Sequence, residues 1–275
     1  MKPVAFDYAR PRTVDDAIAL LASNTEAKIL AGGQTLGPML NLRLAQPALL
    51  VDITRIEELA RVENSADAVT LGATVTHAAI EDGRIPADPA HGFLARVAKG
   101  IAYRAVRTRG TVGGSLAHAD PAADWLSCFT ALEAELDIAG PRGRRRAPLT
   151  AFMRGALDTD LAGDELVAGV RIPKLSGRAR CGYDKICRKT GEFAEAIGVA
   201  VHDPDHDVLR LVAGSTHGKP IVINGKDVGL RDLEPSALKT SGVAGVLREA
   251  GLDDAYELRI HLAALRRAMQ GAFAQ

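Results

Sequence analysis

The sequence predicts a mixed α+β protein in two parts, and three observations carry that prediction. Strand and helix signals interleave through the first half, which suits α/β or α+β packing. The second half runs as successive strands followed by helices, and a stretch of linker composition separates the halves near residue 176. With 275 residues, 47% of them hydrophobic, the chain has material for one large core or two modest ones, and two domains are expected, since domains usually run to about 100–200 residues.

Taken in order, Thr13 followed by Asp16 has the form of a capping box with Asp in the usual Glu place. Val14, Ala17, Ile18 and Leu21 then recur at helical spacing, predicting a short amphipathic helix over 14–22. The run AKILAGG reads as a buried strand ending in two glycines. Pro38 and MLNLRL suggest a helical turn, and ALLVDI (48–53) reads as a second buried strand. VTLGA (69–73) is a third strand, Thr76 is placed to cap a helix from His77, and a helix is expected around 90–99. In PAADWLSCFTALEAEL, Pro121 lies near the start of a helix with a strong apolar face.

PRGRRRAPL (141–149) reads as a hairpin or exposed turn whose basic cluster is a solvated face. ELVAGVRIP (165–173) is a strand closed by Pro173, and KLSGRAR has linker composition. The expected domains are therefore 1–175 and 177–275. In the second, CGYDKICRK, EAIGVAVH and VLRLVAGS predict a three-stranded antiparallel sheet, followed by helices near 234–249 and 253–271 that cover one face of it.

Lys and Arg number 34 and so do Asp and Glu, so no net field exists to hold a nucleic acid. Cys128, Cys181 and Cys187 are odd in number and widely spaced, which suits reduced thiols in a cytoplasmic protein. No CxxC pair offers a framework for zinc or an iron–sulfur cluster. The N-terminal MKPVAFDYARPR has no signal-like apolar core, and no run of about 18 apolar residues predicts a membrane span.

Two glycine loops carry the chemistry. In ILAGGQTLG a strand runs into Gly32-Gly33, followed by polar Gln34 and Thr35. Glycines there allow either a nest of N–H groups around a pyrophosphate or simply a tight strand-to-helix turn. In RTRGTVGGSLAHADPAADW, Gly110, Gly113 and Gly114 lie among the hydroxyls of Thr111 and Ser115, flanked by Arg107 and Arg109 as sources of counter-charge. Asp124 suits either a sugar hydroxyl or the charge of a helix N-terminus. Neither the GxGxxG fingerprint nor the Walker sequence is present. A dinucleotide held by two distant loops is a different architecture.

Other polar residues have plainer readings. His118 and Asp120 have the makings of an acid–base pair, but side-chain bonds to the loop backbone are the simpler role. His77 belongs to a helix start, and His202, His206 and His217 show no ligand spacing. Tyr183 suits either packing against a bound ring system or a half-buried position on a strand, and Arg188 and Lys189 face solvent by default.

AGGQTLGPMLNLRLAQPALLVDI, RTRGTVGGSLAHADPAADW and YDKICRKTGEFA, in this order and separation, resemble the medium, FAD-binding subunits of bacterial molybdenum hydroxylases in the xanthine dehydrogenase family. The resemblance spans nearly the whole chain. It implies a vanillyl-alcohol-oxidase-type (PCMH) FAD-binding domain of two α+β subdomains, then the C-terminal domain of these flavoproteins. It also implies that Ile29, Leu30, Ala31, Gly32, Gly33, Gln34, Thr35 and Leu36 line the adenine and pyrophosphate, and that Thr111, Val112, Gly113, Gly114 and Ser115 wrap the diphosphate from the other side. Asp124 would hold a sugar or ribityl hydroxyl, and Ile101, Val167 and Lys185 would lie near the flavin or adenine.

Where some relatives in the wider superfamily attach flavin through a His, this chain has Gln34, which implies noncovalent FAD. GGQT and GGS stand where carbon monoxide dehydrogenases tend to have GGHS and GGD, which points away from carbon monoxide as substrate. The cysteine-rich insertion of hydroxybenzoyl-CoA reductases is absent. The implied function is electron transfer from two-iron, two-sulfur clusters in a small subunit, through FAD, to an external acceptor. Substrate oxidation would occur at a molybdenum cofactor in a large subunit, within a dimer of heterotrimers. The chain itself would supply no catalytic base and no metal ligand. The alternatives are a self-sufficient flavin oxidase, for which 275 residues leave little room for a substrate cap, and a flavin-free assembly subunit, against which both intact loops argue.

Overall fold

The computed structural model describes residues 1–274. A small parallel sheet opens the chain, with β1 (Asp7–Ala9), β2 (Ala27–Leu30) and β3 (Leu49–Asp52) in the order β1-β3-β2. Its connections are α1 (Val14–Ser23) and α2 (Leu36–Asn41), because parallel neighbours need crossovers. Thr13 caps α1 by accepting from the Asp16 N–H at 3.1 Å, and the four apolar residues of the predicted stripe are buried. β2 is an edge strand, so Ile29 and Leu30 are half-buried where the apolar run suggested full burial.

Next come β4 (Val62–Asn64), β5 (Ala68–Gly72), α3 (His77–Glu81), α4 (Phe93–Gly100), α5 (Arg104–Arg107), α6 (Val112–His118) and α7 (Asp124–Ala131). The hairpin β6 (Glu135–Gly140) and β7 (Gly143–Pro148), α8 (Leu149–Phe152), the minor ribbon β8 (Met153–Gly155) and β9 (Asp158–Thr159), and β10 (Leu166–Pro173) follow. Five of these strands form an antiparallel sheet in the order β4-β5-β10-β6-β7. The arginines of the hairpin meet carboxylates: Arg145 pairs with Glu165 and Asp160, Arg146 with Asp137, and Arg144 with Glu58.

The last sheet is antiparallel and has four strands: β11 (Arg180–Ile186), β12 (Ala196–Asp203), β13 (Val208–Gly214) and β14 (Ile221–Asn224). β14 adds to the three strands expected. Its four residues are too short a run to show alternation, and pairing with β13 from Arg210 to Ala213 defines it. A 3-10 turn at Pro235–Lys239, α9 (Val243–Glu249) and α10 (Ala255–Phe273) complete the chain.

Helices cover both faces of this sheet, where the sequence suggested one. On one side α10 approaches so closely that a Cβ on Gly182 would lie 1.8 Å from the Ala268 carbonyl oxygen, and one on Gly198 2.4 Å from the Ala264 carbonyl carbon. On the other lies α7, and a Cβ on Gly214 would meet Ser127 Oγ at 1.7 Å. Because α7 is enclosed between the second and third sheets, all its residues are buried. Trp125 and Phe129 thus share one hydrophobic cluster with Ile197, Val199 and Val212 from beyond residue 176. Among the described residues no helix is long and apolar enough to cross a membrane.

Candidate functional site

The two glycine loops meet. β2 ends at Leu30, and a Cβ on Gly32 would lie 2.1 Å from the Arg109 carbonyl oxygen and 2.9 Å from Gly110 Cα. Only glycine permits that approach. Gly33 then turns the chain with φ +70°, in the left-handed region, and Gln34 folds back so that its Nε2 donates to the Gly32 carbonyl at 3.2 Å. Among the described residues, the backbone N–H groups of Gly32, Gly33, Gln34, Thr35 and Leu36 donate to no protein acceptor. Five successive free donors around a positive-φ glycine form an anion-binding concavity.

The second loop offers less main chain than its glycines suggested. Val112 donates to the Val75 carbonyl at 3.0 Å, Gly113 to Ala73 at 2.9 Å and Ser115 to Thr111 at 3.0 Å. Gly114 donates to Thr111 Oγ1 at 3.1 Å. Thr111 is thus the cap of α6, and residues read as a phosphate wrap form a helix start. What this loop presents is exposed Gly114, whose Cβ would stand 3.7 Å from that of Ala31, and the Ser115 side chain. Gly113 packs flat on Ala73, where a Cβ would fall 2.4 Å from the alanine methyl.

The flanking arginines divide their roles. Arg107 is buried, pairs with Glu81 through Nε and Nη2, and donates to the carbonyls of Ile101 and Ala102 at 2.9 Å. It therefore holds the turn after α4 and supplies no counter-charge to the loops. Arg109 is exposed.

Below the second loop, His77 is buried. Its Nδ1 accepts from Trp125 Nε1 at 3.0 Å, while its own N–H donates to the Gly110 carbonyl at 3.0 Å. Burial, then the charge of Arg107, pushes the His77 pKa down to about 4. No pairing of His77 with Trp125 was legible in the sequence, because the two are distant in the chain and show no motif.

Asp124 opens α7 and is buried. Its Oδ1 accepts from Lys185 Nζ at 3.0 Å and from the Tyr183 hydroxyl. Tyr183 and Lys185 alternate on β11, so both reach the face that carries α7. Burial, then the negative charge of Asp124, drives the Tyr183 phenol well above its ordinary pKa. Gly100 lies against this tyrosine, with a Cβ position 3.9 Å from its hydroxyl, so Ile101 is one residue from the same cluster. Asp124, Tyr183 and Lys185 therefore converge, and Ile101 follows the glycine that lies against Tyr183.

Val167 lies on β10, and its side chain belongs to the hydrophobic cluster against which Ile101 and Tyr183 also pack, whereas Ala168, across a bulge, belongs to the cluster that Ile29 and Ala31 pack against. Thr74 was missed by sequence reasoning. Its N–H donates to the Leu59 carbonyl at 2.8 Å, and its buried Oγ1 has no protein partner. Asp120 accepts from the Ala122 N–H at 2.9 Å, the loop-holding role expected. Arg188 and Lys189 are exposed.

These residues fit FAD. A diphosphate needs close neutral donors and room for its oxygens; the Gly32–Leu36 amides supply the donors, and a Cβ on Gly114 would fill part of the room. Thr74 Oγ1, in the turn that leads to the segment zipped to the second loop, is an orphaned buried polar atom. Among the described residues, no group of three or more His, Cys, Asp or Glu is placed to hold a metal ion.

Comparison with known proteins places this geometry. The family described as the FAD binding domain in molybdopterin dehydrogenase matches residues 4–175. The carbon monoxide dehydrogenase medium chain of Hydrogenophaga pseudoflava is 36% identical, over 88% of this chain and 79% of its own. The nicotine 6-hydroxylase medium subunit of Paenarthrobacter nicotinovorans is 36% identical, over 80% and 77%. In the structure of the Hydrogenophaga pseudoflava carbon monoxide dehydrogenase that lacks the Mo-pyranopterin moiety of its cofactor, one chain superposes with a TM-score of 0.88 at 30% identity, covering 100% of this chain and 99% of that one.

Proposed function

This chain belongs to the family of FAD-binding domains in molybdopterin dehydrogenases, and from that premise we propose that it is the medium subunit of a heterotrimeric molybdenum hydroxylase. It is an FAD-dependent oxidoreductase subunit of the vanillyl-alcohol-oxidase-type fold. Its partners are an iron–sulfur small subunit and a molybdopterin large subunit, joined as a dimer of heterotrimers in the cytoplasm. Electrons from the iron–sulfur clusters reach this chain, and an external acceptor takes them from it.

The observation that carries the reading is the backbone contact of Gly32 with Arg109 and Gly110, which brings five free N–H groups beside exposed Gly114. Residues 29–36 bind the adenosine diphosphate portion. Ser115 faces it from α6, which Thr111 caps, and Gly114 keeps that wall low. Asp124, Lys185 and Ile101 lie toward the flavin end, and Val167 contributes through its strand. Bound FAD would supply a ring that takes electrons one at a time from one-electron carriers such as iron–sulfur clusters and can release them singly or as a pair. The chain's own groups bind it, orient it and keep water from its buried edge. Gln34, tied to the Gly32 carbonyl, holds the loop without a covalent link. Residues 1–175 and 177–275 act as its two domains, with the Asp124–Lys185 pair across their boundary.

The test is copurification with flavin analysis. A yellow complex containing iron–sulfur and molybdenum subunits, from which acid releases intact FAD, supports the proposal. A solitary chain oxidising an alcohol in air, or a colourless chain indifferent to added FAD, overturns it.

A further inference from the structure

We infer that His77 is a positioning residue of the FAD site, one that sets the second glycine loop against the start of α7, where Asp124 stands. The inference rests on the FAD reading above. Three main-chain bonds zip residues 73–77 to the loop: His77 N–H to the Gly110 carbonyl at 3.0 Å, Val112 N–H to Val75 at 3.0 Å, and Gly113 N–H to Ala73 at 2.9 Å. The imidazole continues the contact, since a Cβ on Gly110 would lie 2.8 Å from its Cδ2 and 2.9 Å from its Nε2. Any side chain at position 110 would displace the ring.

The same ring reaches α7. Trp125 Nε1 can only donate, so the 3.0 Å bond makes His77 Nδ1 the acceptor and leaves the proton on Nε2, the edge against Gly110. Trp125 is fully buried and stacks on Phe129 with centroids 4.8 Å apart and planes 7° apart, which fixes the indole within the helix core. The residue before it is Asp124, which accepts from Lys185 and Tyr183. His77 thus has one contact set on the diphosphate side of the site and one on the helix that carries the carboxylate. A leucine would fill the volume and provide neither the acceptor nor the Nε2–H. An asparagine can offer Oδ1 where Nδ1 stands.

Flavin-fluorescence titration of the full chain tests this, with the indole N–H resonance as the second readout. The chain has one tryptophan, so that resonance is single and assigned without further work. In H77L the indole signal is expected to lose its hydrogen-bonded shift and FAD binding to weaken about ten-fold or more, as loosened support of a first layer of ligands does. H77N should restore the shift and most of the affinity. W125F keeps the ring stack and loses the donor; it should weaken FAD as H77L does, with the double variant little worse than either single one. H77L or W125F binding FAD as tightly as the wild type overturns the inference, and so does full additivity in the double variant. A wild-type chain that binds no FAD overturns the cofactor reading itself, and this inference with it.

Discussion

Gly32 and Arg109 are in backbone contact across two loops that are remote in sequence, with the Cβ position of one 2.1 Å from the carbonyl oxygen of the other. Gly32→Ala must therefore push the loops apart. The expected result is a loss of about 1–3 kcal/mol in urea unfolding and a sharp fall in flavin affinity. Gly37→Ala is the control, since nothing lies within 4 Å of its Cβ position. Equal flavin binding by the two variants would show that loop contact is irrelevant to the site.

Lys185 and Asp124 are buried partners, with side-chain exposures of 10% and 8%. Asp124→Ala leaves the ammonium group without its counter-ion, and removing one partner of such a pair costs roughly 3–5 kcal/mol. Lys185→Met added to Asp124→Ala should recover part of that loss. A double variant less stable than Asp124→Ala in denaturant titration would exclude the pair as an interacting unit.

The His77 shift predicts a pH dependence. The unfolded imidazole takes its proton near pH 6.5 and the folded one only near 4, so between these values the unfolded state binds more protons. Stability from this group is complete above about pH 6.5 and declines as pH falls toward 4, by about 3 kcal/mol in all. H77N should have a flatter stability profile in that window than the wild type. Parallel profiles from thermal unfolding would contradict it.

Asp203 works in the opposite sense at lower pH. It is fully buried, and burial alone raises its pKa. The Ser176 hydrogen bonds, then His206, outweigh that and hold it at about 2. Its contribution is present above about pH 3.8 and is lost as pH falls through 2. At neutral pH its Oδ2 accepts from the Ser176 N–H at 2.9 Å and so ties down the connection between β10 and β11. Asp203→Asn weakens that tie, and trypsin should then cut faster at Lys174 and Arg178. Unchanged cleavage rates would mean that other contacts hold the connection.

Legibility followed the range of the interaction. Thr13, Thr76 and the stripe of α1 were readable because caps and helical periodicity act within four residues, and the structure shows both hydroxyls capping. The strand ending at Gly32-Gly33 was readable for the same reason. β14 was not, because four residues carry too little pattern and its existence depends on β13. That the amides of Val112 and Gly113 are occupied was not readable, because their acceptors on Val75 and Ala73 come from another segment. Arg107 was misread in the same way, since Glu81 and two carbonyls already occupy it.

By itself, the sequence determined the order of the longer elements, the two glycine loops and the family they mark. Those depend on backbone conformations and turns that neighbouring residues dictate. Only the tertiary structure decided which loop keeps free N–H groups, that α7 lies enclosed between two sheets, and that His77 and Trp125 form one unit. The reason is competition: a donor, a charge or an apolar face is available only if no distant residue has taken it, and that is settled when the layers pack.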